Sequence, residues 1–386
     1  MLTCALNHSR RRFLKAVAGG VLGGNALAPR TVAAESPEPP ESRRSTDHPL
    51  VASVRHLGNQ FLNNRVGVSG ADGATSTVLP SGDSLWVFGD TVEGPFKTIH
   101  GLNLAKLRSN TAAIAPRQDA SRGIERFRFL ADSDGKRPRQ IVPFAADEDS
   151  AKHRVWAIQG LCVGRQIYLY YHRITLLEGV DVFVNFQLDG MGLARADVDD
   201  LQFTKLTAPD GTREFWKGDE PSFGVFVERA DEYVYLWGCL ATGMHLARTR
   251  IGSIEDLASY EYLVAAPTAS QPDILPRWSK KFESAAPLFD AVPNEMSASY
   301  NPFVRKHIAF HSLHREHKIL MRTAPRRTGP WSAGEVVYQP KRIGDGDLIY
   351  AAKEHPELAG EGGRVVYVTF VNSTTYVPQL IEVRLK

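Results

Sequence analysis

The 386-residue chain contains three cysteines, with no Cys-x-x-Cys pair and no zinc-type spacing, so a disulfide-dense scaffold and a zinc-ribbon module are both excluded. Cys4 falls in an N-terminal leader. Cys162 and Cys239 lie in apolar, strand-like runs where a buried free thiol is the commoner state, and the sequence leaves open whether they pair. Long apolar runs are missing as well. The best of them, Ala16 to Ala28, is too short and too glycine-rich for a stable membrane anchor. No long amphipathic helix competes after residue 49, because the helical candidates near Ser253 to Ala258 and His355 to Leu358 are single turns.

The leader explains the one charge imbalance. Ser9-Arg10-Arg11-Arg12-Phe13-Leu14-Lys15, the apolar run and a small-residue cleavage region (Ala26-Leu27-Ala28 or Val32-Ala33-Ala34) read as a twin-arginine export signal over residues 1–34. It carries five basic residues and no acid, so its removal takes the formal charge from +3 to −2. No polybasic stripe then remains for nucleic acid. Residues 35–48, rich in Pro, Glu, Ser and Arg, read as a disordered linker, and the fold is expected over 49–386. The implied setting is periplasmic or secreted, with the twin-arginine translocase as export partner and a monomer as product.

Short runs of Val, Tyr, Phe, Trp and Thr between Gly, Asp, Pro and Asn clusters make the rest an all-β chain. They group into five units of three recognisable strands: 77–79, 85–89 and 112–115; 160–163, 167–171 and 183–188; 222–227, 233–238 and 244–249; 297–300, 307–311 and 318–322; 348–352, 365–371 and 378–384. Five units of about 68 residues suit a five-bladed β-propeller of four-stranded antiparallel blades, with Leu50 to Val54 closing the ring; a pair of β-sandwiches is the alternative.

Two acids flank the first hairpin, Asp72 in Gly70-Ala71-Asp72-Gly73-Ala74 and Asp90 in Trp86-Val87-Phe88-Gly89-Asp90-Thr91. Converging carboxylates are what glycoside hydrolysis needs, one to protonate the leaving oxygen and one to act as base or nucleophile. Asp-Gly and Gly-Asp-Thr are equally ordinary turn sequences.

The segments 72–80 and 85–91 resemble the opening of a bacterial family catalogued as a domain of unknown function, some of whose members are endo-D-arabinanases. Asn294-Glu295-Met296-Ser297-Ala298-Ser299-Tyr300, Arg322-Thr323-Ala324 with Gly329-Pro330-Trp331-Ser332, and His355-Pro356-Glu357-Leu358 before Val365-Val366-Tyr367-Val368 stand in the order this resemblance requires, over residues 50 to 386. It implies an arabinanase-like five-bladed propeller with a carboxylate-lined axial pocket, and it carries the acidic pair onto Asp72 and Asp90. The chain departs from the family pattern at Trp156-Ala157-Ile158-Gln159-Gly160 and at Trp216-Lys217-Gly218-Asp219-Glu220-Pro221.

Glu295, which opens the fourth unit, is a third catalytic candidate able to tune its neighbours, or else a surface turn acid. Asp219 and Glu220 open the third unit as substrate contacts or as an ordinary solvated loop. His355 could orient a water or a sugar hydroxyl, or be a satisfied turn histidine. Trp216 and Tyr300 are candidate stacking surfaces for sugar rings. His307, His311, His314 and His317 lack a metal-binding pattern, and no cofactor is expected; an axial calcium stays open, although no acidic calcium loop is visible. The reading is an exported glycoside hydrolase acting on a furanose-containing poly- or oligosaccharide; the competing readings are a non-catalytic glycan- or protein-binding propeller and, on weaker grounds, a sialidase.

Overall fold

The computed structural model describes residues 44–46, 48–96, 107–177, 186–290, 295–344 and 347–386; the leader, most of the linker and Asn294 lie outside the described residues. Regular structure there is β-strand, with single 3-10 turns such as Ile251–Ser253, Leu257–Ser259 and Pro356–Leu358 where the sequence offers only one helical turn.

Most strands form five antiparallel blades around an axis, and Val68–Ala71 pairs with Thr91–Glu93 as a separate two-stranded sheet. Blade 1 runs outward from Thr75–Val78 through Ser84–Phe88 and Thr111–Ala115 to Arg128–Phe129. Blades 2, 3 and 4 have inner strands His153–Val163, Phe226–Ala230 and Met296–Asn301. Blade 5 begins with Ile349–Glu354, continues through Val365–Asn372 and Pro378–Leu385, and is completed by the N-terminal Val51–Asn59. That last pairing ties the two ends of the fold into one sheet, as expected for Leu50 to Val54, although the strand is longer than the expected stretch. Arg44–Ser45 pairs as a short strand outside it, and His48 is buried.

Each blade buries both faces against its neighbours, which is why the strands read as continuous apolar runs and not as alternation. All five residues of Ser84–Phe88 and all eight of Val365–Asn372 are buried. Leu85 and Val87 of blade 1 pack with Ile167 and Leu169 of blade 2, while Ile308 and Phe310 of blade 4 pack with Val366, Val368 and Phe370 of blade 5. Trp86 bridges blades 1 and 5 and is fully buried; truncating such a side chain to alanine costs roughly 3–5 kcal/mol.

The inner strands carry small polar residues that cross-link blades near the axis. Ser299 Oγ donates to Glu354 Oε2 at 2.7 Å, Glu354 N–H donates to Ser297 Oγ at 2.7 Å, and Lys353 Nζ donates to Thr75 Oγ1. Blades 1 and 2 approach so closely that a Cβ at Gly160 would lie 2.4 Å from Thr77 Oγ1. In the third unit the expected strand from Ser222 begins only at Phe226. Phe223 N–H bonds back to Pro221 O and Gly224 adopts φ +112°, so the chain is kinked there. Cys162 is a half-buried free thiol, and Cys239 is buried.

Candidate active site

Asp72 sits in the turn that feeds the inner strand of blade 1. Gly89 N–H donates to its backbone carbonyl at 3.0 Å. A Cβ on Gly89 would meet Asp72 Oδ1 at 2.3 Å, so the Gly89 of Gly-Asp-Thr is what lets this carboxylate seat. Tyr350 Oη donates to Asp72 Oδ2 at 3.2 Å, and the Tyr376 hydroxyl also bonds Asp72. Burial first, then the negative charge of Asp72, hold the Tyr376 phenol well above its ordinary range.

A bulge in blade 5 builds the other side. Tyr350 pairs with Val371 and Lys353 with Thr369, so three residues on one strand span two on its neighbour. In a regular strand residues i and i+3 face opposite ways; the extra residue puts Tyr350 and Lys353 on one face. Ala351 takes up the distortion at φ +56°. Left-handed non-glycine residues also stand at Ala74, two residues after Asp72, and at Tyr376 itself, so backbone strain is gathered around Asp72.

Lys353 is buried, and the charges that act on its ammonium are Glu295 and Asp72. Burial lowers its pKa, and the two carboxylates oppose that shift. Half-buried Glu295 stands immediately before Met296–Asn301. One ammonium cannot neutralise two carboxylates. With both carboxylates ionised the trio carries one net negative charge.

Asp90 is buried, at 2% exposure, and fully engaged. Arg154, itself buried, donates from Nε to Asp90 Oδ1 at 2.9 Å and from its terminal nitrogen to the same oxygen, while Trp156 Nε1 donates to Oδ2 at 2.9 Å. Asp72 and Asp90 both act on the Tyr376 hydroxyl, which places them around one tyrosine.

The expected substrate contacts fall elsewhere. His355 is buried, tilted against Trp86 with ring centroids 4.3 Å apart, with Nδ1 bonded to Ser76 Oγ of blade 1 at 2.7 Å and Nε2 to Thr369 Oγ1 of blade 5 at 2.8 Å, so both nitrogens are spent at the seam between these blades. Trp216 is 1% exposed in the core with Tyr170, Phe223 and Tyr260, and its indole donates to Tyr262 Oη at 3.2 Å, so its ring offers no open face. Tyr300 is exposed and lies near the far end of the inner strand from Glu295, against His307. Glu220 accepts from Lys217 N–H at 2.8 Å in the loop before blade 3 and is pushed up by burial, with Asp219 beside it; among the described residues neither bonds to the Asp72 group. The four histidines of blade 4 are dispersed: His307 meets Tyr300, His311 meets Arg322, His314 meets Tyr350 and His317 meets Asp347.

Sequence reasoning passed over Tyr350, Lys353, Tyr376, Arg154 and His172. One signal was available, the run Lys353-Glu354-His355 at the end of an apolar strand, where charge has no reason to be buried unless it is used.

The fold is similar to that of a Bacteroides ovatus protein described as a "putative hydrolase", with 16% identity over 86% of this chain and 90% of that one, and a TM-score of 0.59. More distant likenesses, both at a TM-score of 0.47 and 13% identity, are to a family 43 β-xylosidase/α-arabinofuranosidase from a compost microbial metagenome (82% of this chain, 92% of that one) and to a family 117 glycoside hydrolase from Zobellia galactanivorans (84% and 87%). No curated protein matches the chain. The model of the family described as a domain of unknown function, DUF4185, matches residues 58–382, and the chain belongs to that family.

Proposed function

We propose that this protein is an exported glycoside hydrolase that cleaves a furanose-containing, arabinan-like polysaccharide. The observation that carries the reading is the buried Lys353 ammonium acting on both Asp72 and Glu295 at the axial ends of blades 1 and 4. Surplus negative charge there supplies a carboxyl able to hold and release a proton, which glycosidic cleavage requires. Asp90, ion-paired with Arg154, suits a carboxylate that stabilises an oxocarbenium-like transition state through its charge. Tyr350 and Tyr376 orient Asp72 between them. The sugar class rests on the resemblance of segments 72–80 and 85–91 to a family with endo-D-arabinanases among its members, and export rests on the twin-arginine leader.

Mature protein incubated with D- and L-arabinans should release reducing sugar, and Asp72→Asn should lower the rate by about two orders of magnitude or more with unchanged circular dichroism. Binding of arabinan without any release would identify a non-catalytic glycan-binding propeller. For export, Arg10→Lys with Arg11→Lys should retain the protein in the cytoplasm; unchanged export would remove the twin-arginine assignment.

A further inference from the structure

His172 lies on the second strand of blade 2, Gln166–Leu176, directly across from Trp156, whose indole N–H holds Asp90. The imidazole is 1% exposed, and its Nε2 has no hydrogen-bond partner among the described residues. Leaving such an atom dry costs roughly 1–3 kcal/mol, a penalty that a purely structural position sheds by becoming Leu or Phe. The ring is also near enough to Lys353 to be influenced by its charge, although the two come from blades 2 and 5. Burial first and that ammonium second hold His172 neutral, down to about 3, so Nε2 stays a hydrogen-bonding group throughout the working pH range without becoming a cation.

We infer that His172 Nε2 is a substrate-recognition group, which takes a sugar hydroxyl beside Trp156 and near Lys353 and so helps to set specificity. This deepens the glycosidase reading and rests on it. A hydroxyl is the fitting partner because it can both donate and accept, so either tautomer of a neutral imidazole can bond to it. An anionic group would meet Asp72, Asp90 and Glu295, three carboxylates against two buried cations. A site that hydrogen-bonds a hydroxyl rejects the analogue lacking it far more strongly than an apolar pocket discriminates by size.

The test compares wild type, His172→Leu and His172→Asn by steady-state kinetics on arabino-oligosaccharides, by calorimetric binding of the same oligosaccharides to proteins also carrying Asp72→Asn, and by thermal unfolding. The inference expects KM and Kd to rise about 10- to 100-fold in His172→Leu, kcat to change less than threefold, His172→Asn to recover part of the binding, and the unfolding midpoint to hold or rise. Unchanged KM and Kd in His172→Leu, or a lowered midpoint with normal binding, would overturn it and assign Nε2 to an internal water. If wild type neither binds nor cleaves any of the oligosaccharides, the glycosidase reading itself falls, and this subsite with it.

Discussion

The hydroxyl of Tyr350 donates to Asp72 Oδ2 at 3.2 Å across the seam where the last blade meets the first, joining residues 278 positions apart in the chain. The contact exists only because the ring closes and because the bulge at Ala351 turns Tyr350 toward the same side as Lys353. Ring closure and assembly of the candidate site are therefore one event.

Tyr350→Phe keeps the ring and deletes the donor to Asp72. Hydrolysis should fall by roughly tenfold, the value of one hydrogen bond to a charged group, with the unfolding midpoint moving by no more than about 3 °C. Steady-state kinetics beside a melting curve checks this, and a rate equal to wild type would remove Tyr350 from the site.

Lys353→Met deletes the ammonium and keeps the length of the side chain. Without the cation, Asp72 and Glu295 should be harder to ionise, and the acid limb of the kcat/KM profile should move up by about 1 to 3 pH units. An acid limb that stays in place means the ammonium does not set the carboxylates' charge. Because Lys353 already answers these acids, a chelator should leave activity intact; loss of activity restored by calcium would show that a metal is needed.

Asp90→Asn leaves the buried Arg154 guanidinium without its counter-charge, which costs roughly 3–5 kcal/mol. Adding Arg154→Met should recover much of that stability in a denaturant titration while activity stays absent. Activity in the stable double variant would make Asp90 a structural residue only.

Glu354 is buried, receives the Ser299 hydroxyl, and is pushed up to about 8, first by burial and then by nearby Glu357. Its folded pKa stands above the unfolded one, so the contribution is fully present below about pH 4.5 and is lost as pH rises toward 8. His172 and His355, both held down to about 3 by burial, act in the opposite sense: stability drops as pH falls from about 6.5 toward 3. Two histidines outweigh one glutamate below their unfolded pKa, so melting curves should peak at about pH 6.5, and Glu354→Gln should flatten the alkaline side by a few kcal/mol. A wild-type curve flat from pH 6 to 8.5 would contradict this.

The sequence by itself determined the strands and their grouping. Blades buried on both faces require unbroken apolar runs, and those are visible without a partner, as in Leu85 to Phe88 and Val365 to Val371. It also singled out Asp72 and Asp90, which stand beside glycines at the two ends of the first hairpin, and Glu295, which opens the fourth unit. Tertiary structure decided which side chains are open and which are spent. Trp216, written like a surface aromatic beside Lys and Gly, is core because a separate two-residue strand docks it there, and His355 is consumed at the blade 5 to blade 1 seam. Tyr350, Lys353 and His172 acquire meaning only through a one-residue bulge and through blades far apart in sequence. Local pattern reports how a residue is buried along its own strand; where that strand aims it depends on register and on ring closure, which no window of the sequence contains.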